Sequence, residues 1–176
     1  MFFKRLIRNK LAVFGAVLLL FLVTLAVLAP WVATHSPFKL NLKERLQPPS
    51  ASHFFGTDGY GRDLFSRVVY GAAIALRVGF FSIIVAITAG IVLGLISGYY
   101  RGWVDTVVMR IMDAILSFPI ILLAIGIMAV LGAGFANLMI ALGVVYTPRF
   151  ARLVRSSVLS IREKEYIEAA RVTGCS

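Results

Sequence analysis

Four stretches of this chain are apolar over lengths near the ~20 residues a helix needs to cross ~30 Å of hydrocarbon. The first covers residues 11–29 and is closed by Pro30 and Trp31. The second covers 78–98 without a charge, followed by Tyr99, Tyr100 and Trp103 as an interfacial aromatic belt. The third covers about 111–131, with Asp113 near its start and Pro119 inside. The fourth, about 136–150, is short and expected to break near Pro148. Residues 132–134 leave only a tight turn between the last two, which should form a hairpin. Of the 176 residues, 60% are hydrophobic and 15% charged. Soluble domains are roughly half apolar and a quarter charged, and a fold this small could not hide the excess. Backbone polar groups in lipid must be satisfied within the segment, so the expected class is all-α: a polytopic membrane helical bundle.

The net charge is +10. The basic residues flank the apolar runs, which points to membrane loops and not to nucleic acid. With the N-terminus inside, the inner segments carry 12 basic residues: Lys4, Arg5, Arg8, Lys10, Arg101, Arg110, Arg149, Arg152, Arg155, Arg162, Lys164 and Arg171. The outer loop, 30–77, carries six: Lys39, Lys43, Arg45, Arg62, Arg67 and Arg77. Both termini are therefore expected on the cytoplasmic side. The first run exceeds the ~7–15 residues of a signal-peptide core and reads as an uncleaved span. The single cysteine, Cys175, excludes an internal disulfide. His35 and His53 lie far apart in a polar stretch and read as solvated loop histidines. With no Cys/His cluster, neither a metal site nor a cofactor is expected.

The outer loop divides in two. Residues 30–55 have Pro37, Pro48, Pro49, Ser50 and Ser52 and no period. From Asp63, an expected N-cap, the residues Leu64, Phe65, Val68, Val69 and Ala72 share a helical face, with Arg62, Ser66 and Arg67 off it. This predicts an amphipathic helix over 64–76 lying on the outer surface and feeding the second span. Before it, Gly56, Thr57, Asp58, Gly59, Tyr60, Gly61, Arg62 and Asp63 form a glycine-dense run. No Lys-Ser/Thr follows and no strand precedes, so it is a compact turn and not a phosphate loop. Asp63 and Arg67 are spaced to pair, as are Arg110 and Asp113.

Near the C-terminus, Ser160 and Glu163 have capping-box spacing and Gly174 fits a helix C′ position. They predict a helix over 161–174, too polar to span. Its Glu163, Glu165 and Glu168 can meet basic groups on a partner, and Ala169 and Ala170 allow close approach.

The run Glu168-Ala169-Ala170-x-x-x-Gly174 resembles the EAA motif of bacterial ABC-importer permeases. Gly56-Thr57-Asp58 with Gly61-Arg62-Asp63-x-x-Ser66-Arg67 and Gly71-Ala72 resembles the second permease subunit of the dipeptide, oligopeptide, nickel and glutathione importers. So do Gly98-Tyr99-Tyr100, Met109-Arg110-x-x-Asp113 and Phe150-Ala151-Arg152-x-x-Arg155. The resemblance covers nearly the whole chain. It implies a type I importer permease with about six spans, of which four would be present, and hence a truncated chain. It implies that Glu168, Ala169, Ala170 and Gly174 dock an ATPase, with ATP hydrolysed on two separate cytoplasmic subunits and the chain itself no enzyme. It further implies a second homologous permease and an extracytoplasmic binding protein. Gly56, Thr57, Asp58, Gly61, Arg62 and Asp63 would structure the outer face or meet that binding protein. Peptide is the expected cargo. Nickel or glutathione import, or a non-transporting membrane scaffold, are the alternatives.

Overall fold

The structure, a computed structural model, describes residues 9–174; Lys4, Arg5, Arg8 and Cys175 lie outside the described residues. The chain divides into two compact units, residues 1–77 and 78–176. The regular structure is helical: α1 (Lys10–Val27), α2 (Ala29–Val32), α3 (Leu64–Tyr100), α4 (Gly102–Ser117), α5 (Ile120–Leu131), α6 (Phe135–Arg162) and α7 (Glu165–Val172). A 3-10 turn occupies Leu42–Glu44. Among the described residues the one β feature is an isolated bridge between Thr57 and Asp63.

In the first unit Asn9 caps α1, its side-chain oxygen accepting from the backbone N–H groups of Leu11 (3.2 Å) and Ala12 (3.4 Å). α1 fully buries none of its residues within the chain, and all its leucines and valines but Leu25 face outward, as a lipid-exposed or subunit-facing span requires. Pro30 opens α2, where a missing N–H costs nothing. The small core joins Ala29 to Val69 and Ala73 of α3, with Leu25, Ala26, Val32 and Phe65 packed around them.

No separate amphipathic helix exists. α3 runs unbroken from Leu64 to Tyr100, 37 residues and about 55 Å, longer than the hydrocarbon layer. Residues 76–79 contain no proline or cap, so nothing ends the helix there. The buried stripe also differs: Val68 is exposed, whereas Ser66 is buried because its hydroxyl accepts the His35 N–H at 3.0 Å.

In the second unit, α3 and α6 approach closely at glycines. A Cβ on Gly90 would lie 2.4 Å from Phe150 Cβ, and one on Gly94 2.6 Å from the Ala151 carbonyl oxygen. Gly98 and Gly143 are equally tight against Val158 and Val85. Small residues at i, i+4 and i+8 make the seam that lipid-embedded helices use in place of a hydrophobic drive.

Three expected boundaries shift. Pro119 does not merely kink a span. Phe118 is forced extended (φ −90°, ψ 142°), as residues before proline are, and α4 and α5 meet at 100°. Conversely, Pro148 does not break α6. Pro148 and its neighbours Thr147 and Ala151 are buried, Ala151 against Gly90 and Gly94 of α3, and that packing holds the helix through one missing hydrogen bond. Ser160 is not a helix cap either. α6 continues to Arg162, and the chain bends at Glu163 and Lys164 before α7. Among the described residues two helices, α1 and α3, are long and apolar enough to cross a membrane, or three spans result if the bent α4–α5 pair is one; four were expected. α6 falls outside that set, with Arg149, Arg152, Arg155 and Arg162 charging its second half. α5 and α6 do pack together across residues 132–134, where Asn137 donates to the carbonyls of Leu131 (2.8 Å) and Gly132 (3.1 Å).

Candidate functional site

The glycine-dense run before α3 is a hydrogen-bonded turn built on Asp58. Its Oδ1 accepts the N–H groups of Tyr60 (2.8 Å) and Arg62 (3.0 Å), and its Oδ2 accepts Arg62 Nε at 2.8 Å and a second guanidinium from Arg67. Burial alone would raise the Asp58 pKa, but the two backbone donors and Arg62 outweigh it and hold the carboxyl at about 2. Arg67 thus pairs with Asp58 and not with Asp63. Gly61 (φ +71°) sits against Asn41, where a Cβ would come 1.7 Å from the carbonyl oxygen. Gly56 (φ +74°) is pressed on Gln47 in the same way. Thr57 ties the run to the preceding loop, its hydroxyl accepting the Gln47 N–H at 2.9 Å and donating to the Glu44 carbonyl. The predicted run therefore comes together as one rigid unit.

Asp63 does cap α3, accepting the Ser66 N–H at 2.8 Å. Its Oδ1 meets His53 Nδ1 at 2.9 Å. Burial pushes this carboxyl up, while the Ser66 and His53 hydrogen bonds bring it below the ordinary carboxylate range. His53 is buried, contrary to the expectation of a solvated loop histidine, and its ring centroid lies 4.6 Å from that of His35. The two histidines are far apart only in sequence.

The second unit holds ion pairs between α4 and α6. Arg155 grips Asp105 with two parallel bonds, Nε to Oδ1 and Nη2 to Oδ2, each 2.5 Å. Ser97 of α3 donates to the same carboxylate, so three helices meet at Asp105. Two turns further along α4, Asp113 accepts from Arg152 Nη2 at 2.5 Å; the local Arg110 pairing expected for it is replaced by this interhelix one. Asp105, Met109, Arg110, Asp113, Arg152 and Arg155 line a cavity of about 520 Å³. Sequence reasoning missed this ladder and the glycine seam beside it. The spacing of Gly90, Gly94 and Gly98 was the available signal, with Arg152 and Arg155 three apart on one face of α6.

Glu168, Ala169 and Ala170 lie on the eight-residue α7, and Ala169 is exposed. Gly174 takes φ +85° beyond its end, the left-handed conformation that a C′ glycine supplies. Glu163 pairs with Arg101 Nη2 at 3.2 Å instead of closing a capping box. Arg162 donates to the Tyr99 carbonyl and lies over the Tyr99 ring. The root of α7 is thereby fastened to the turn between α3 and α4.

The described residues thus combine long apolar helices with a short polar helix, α7, at the end of a charged, packed stem. Residues 90–176 match the family described as "Binding-protein-dependent transport system inner membrane component", and residues 1–49 match "N-terminal TM domain of oligopeptide transport permease C". The chain belongs to the permeases of ABC importers, in their dipeptide/oligopeptide branch. It is 49% identical over 172 residues to the dipeptide transport system permease protein DppC of Alkalihalophilus pseudofirmus, covering 98% of this chain and 57% of that protein. It is 46% identical over 173 residues to a putative peptide transport system permease protein of Brucella abortus, covering 98% and 58%. Against the glutathione transport system permease protein GsiD of Pectobacterium atrosepticum the identity is 40% over 176 residues, covering 99% and 58%. The chain spans somewhat over half the length of these relatives.

Proposed function

We propose that this chain is the coupling half of a permease subunit that imports peptides across the cytoplasmic membrane, with its N-terminus and α7 on the cytoplasmic side. The observation that carries the reading is the 49% identity to a dipeptide permease across almost the entire chain. ATP is hydrolysed on two partner subunits, a second homologous permease completes the pathway, and an extracytoplasmic binding protein delivers cargo.

Glu168, Ala169, Ala170 and Gly174 dock α7 on an ATPase. The geometry supports transmission from there: α7 is short, Ala169 on it is exposed, and its root is pinned to Tyr99 and Arg101. α6 above it is locked to α4 by Arg155–Asp105 and Arg152–Asp113 and to α3 by the glycine seam. A push on α7 therefore moves α3, α4 and α6 as one body, the rigid-body switching alternating access requires. The rigid turn at Gly56, Thr57, Asp58, Gly61, Arg62 and Asp63 meets the binding protein or braces the outer face.

Glutathione, itself a tripeptide, is the second reading, favoured by the 40% identity to its permease. Uptake of a labelled dipeptide and of labelled glutathione by cells carrying the complete transporter separates the two. Dipeptide uptake that excess glutathione leaves unchanged is the expected result. Glutathione uptake without dipeptide uptake would reverse the assignment of cargo.

A further inference from the structure

We propose that His35, His53 and Asp63 form a binding site for a divalent ion of the zinc class. The inference is independent of the transport reading. One donor atom from each of the three residues lies within 4.8 Å of the other two. Two imidazoles and a carboxylate are a recurrent donor set for zinc, leaving a fourth position for water. Here that position opens on a recess of about 440 Å³ that Asn41 and Glu44 also line.

The surroundings are those of a metal-binding histidine. Glu44 Oε2 stands 3.6 Å from His53 Nε2, a negative neighbour that favours the tautomer with its hydrogen on Nε2 and so leaves the Nδ1 lone pair for the ion. Asp63 is oriented from its other side, Oδ2 accepting from the Ser66 N–H at 2.8 Å and from the Thr34 hydroxyl at 3.4 Å. A tetrahedral ion with bonds of 2.0–2.1 Å separates its donors by about 3.3 Å. His53 Nδ1 and Asp63 Oδ1, 2.9 Å apart, need to part by a few tenths of an ångström, and the exposed His35 ring, whose donor lies within 4.8 Å of the others, turns inward to complete the set. Any proton shared between Nδ1 and Oδ1 leaves to solvent as the metal–nitrogen bond forms. Lys39 lines the same recess and sets the affinity below that of an all-anionic site. The ion would tie the segment after α2, the loop at His53 and the first turn of α3 into one unit.

The test is titration of the purified chain in detergent with Co²⁺, carrying Cys175→Ser to remove thiol ligation. The expected result is one Co²⁺ per chain with visible ligand-field absorption, displaced by Zn²⁺. His35→Ala, at an exposed residue, should weaken binding by about tenfold or more with an unchanged circular dichroism spectrum. Co²⁺ binding that is absent, or equally strong in His35→Ala, would overturn the proposal. His53→Asn should abolish the absorption; if that buried replacement unfolds the loop, the His35→Ala comparison decides alone.

Discussion

At the scale of single residues, Asp105 ties three helices of the second unit together. It joins α4 to α6 through a bidentate arginine and to α3 through Ser97, and it is largely withdrawn from water, with 18% of its side chain exposed. Charge-assisted bonds in such a setting contribute about 1.5–3 kcal/mol. Asp105→Asn should therefore destabilise the detergent-solubilised chain by about 2 kcal/mol in thermal unfolding. Arg155→Lys should lose most of the same amount, since an ammonium cannot reproduce the paired fork. Asp58 makes a different prediction. Its pKa is depressed in the folded state, so the stability it contributes is present above the ordinary carboxylate value of 3.8. That contribution is lost as the pH falls from there toward about 2. Carboxyl ¹³C shifts followed through an acid titration should place the Asp58 midpoint near 2. A midpoint near 4 would mean that the turn is not held as described.

Among the elements, the α3–α6 contact is the most sensitive. Adding a side chain at Gly94 drives a Cβ into the Ala151 carbonyl, which a backbone atom cannot avoid by rotating. Gly94→Leu should destabilise the bundle by at least about 1–3 kcal/mol. Gly126→Ala, where a Cβ meets nothing within 4 Å, should be neutral or stabilise α5 by about 0.5–1 kcal/mol. Equal melting temperatures for the two variants would contradict the seam. These elements also show what the sequence made legible. Apolar runs of span length located the helices, because lipid permits little else. The Asp63 cap and the left-handed Gly174 were readable because each satisfies a local backbone need. Helix ends were not, because packing between helices decides them. Burial around Pro148 carries α6 through it, whereas Pro119, next to the exposed Phe118, does break its helix. The pairing of Asp113 with Arg152, 39 residues away, and the meeting of His35 with His53 are tertiary facts that no local spacing encodes.

For the whole molecule, the proposed function has the short α7 receiving force and a cross-braced trio of helices carrying it into the membrane. Breaking a brace should then uncouple the two ends without removing the protein from the membrane. The complete transporter bearing Asp113→Asn should insert at the level of the unaltered protein and keep its ATPase subunits through purification. It should nonetheless import more slowly, because α4 no longer follows α6 at that level. The most direct measurement is ATP-dependent uptake of a labelled dipeptide by proteoliposomes of the complete transporter. Unaltered permease would be compared with one carrying Glu168→Ala and Gly174→Val, alongside co-purification of the ATPase. Loss of both uptake and ATPase association, with membrane insertion unchanged, is the predicted result; uptake and association that both survive the double substitution would contradict it.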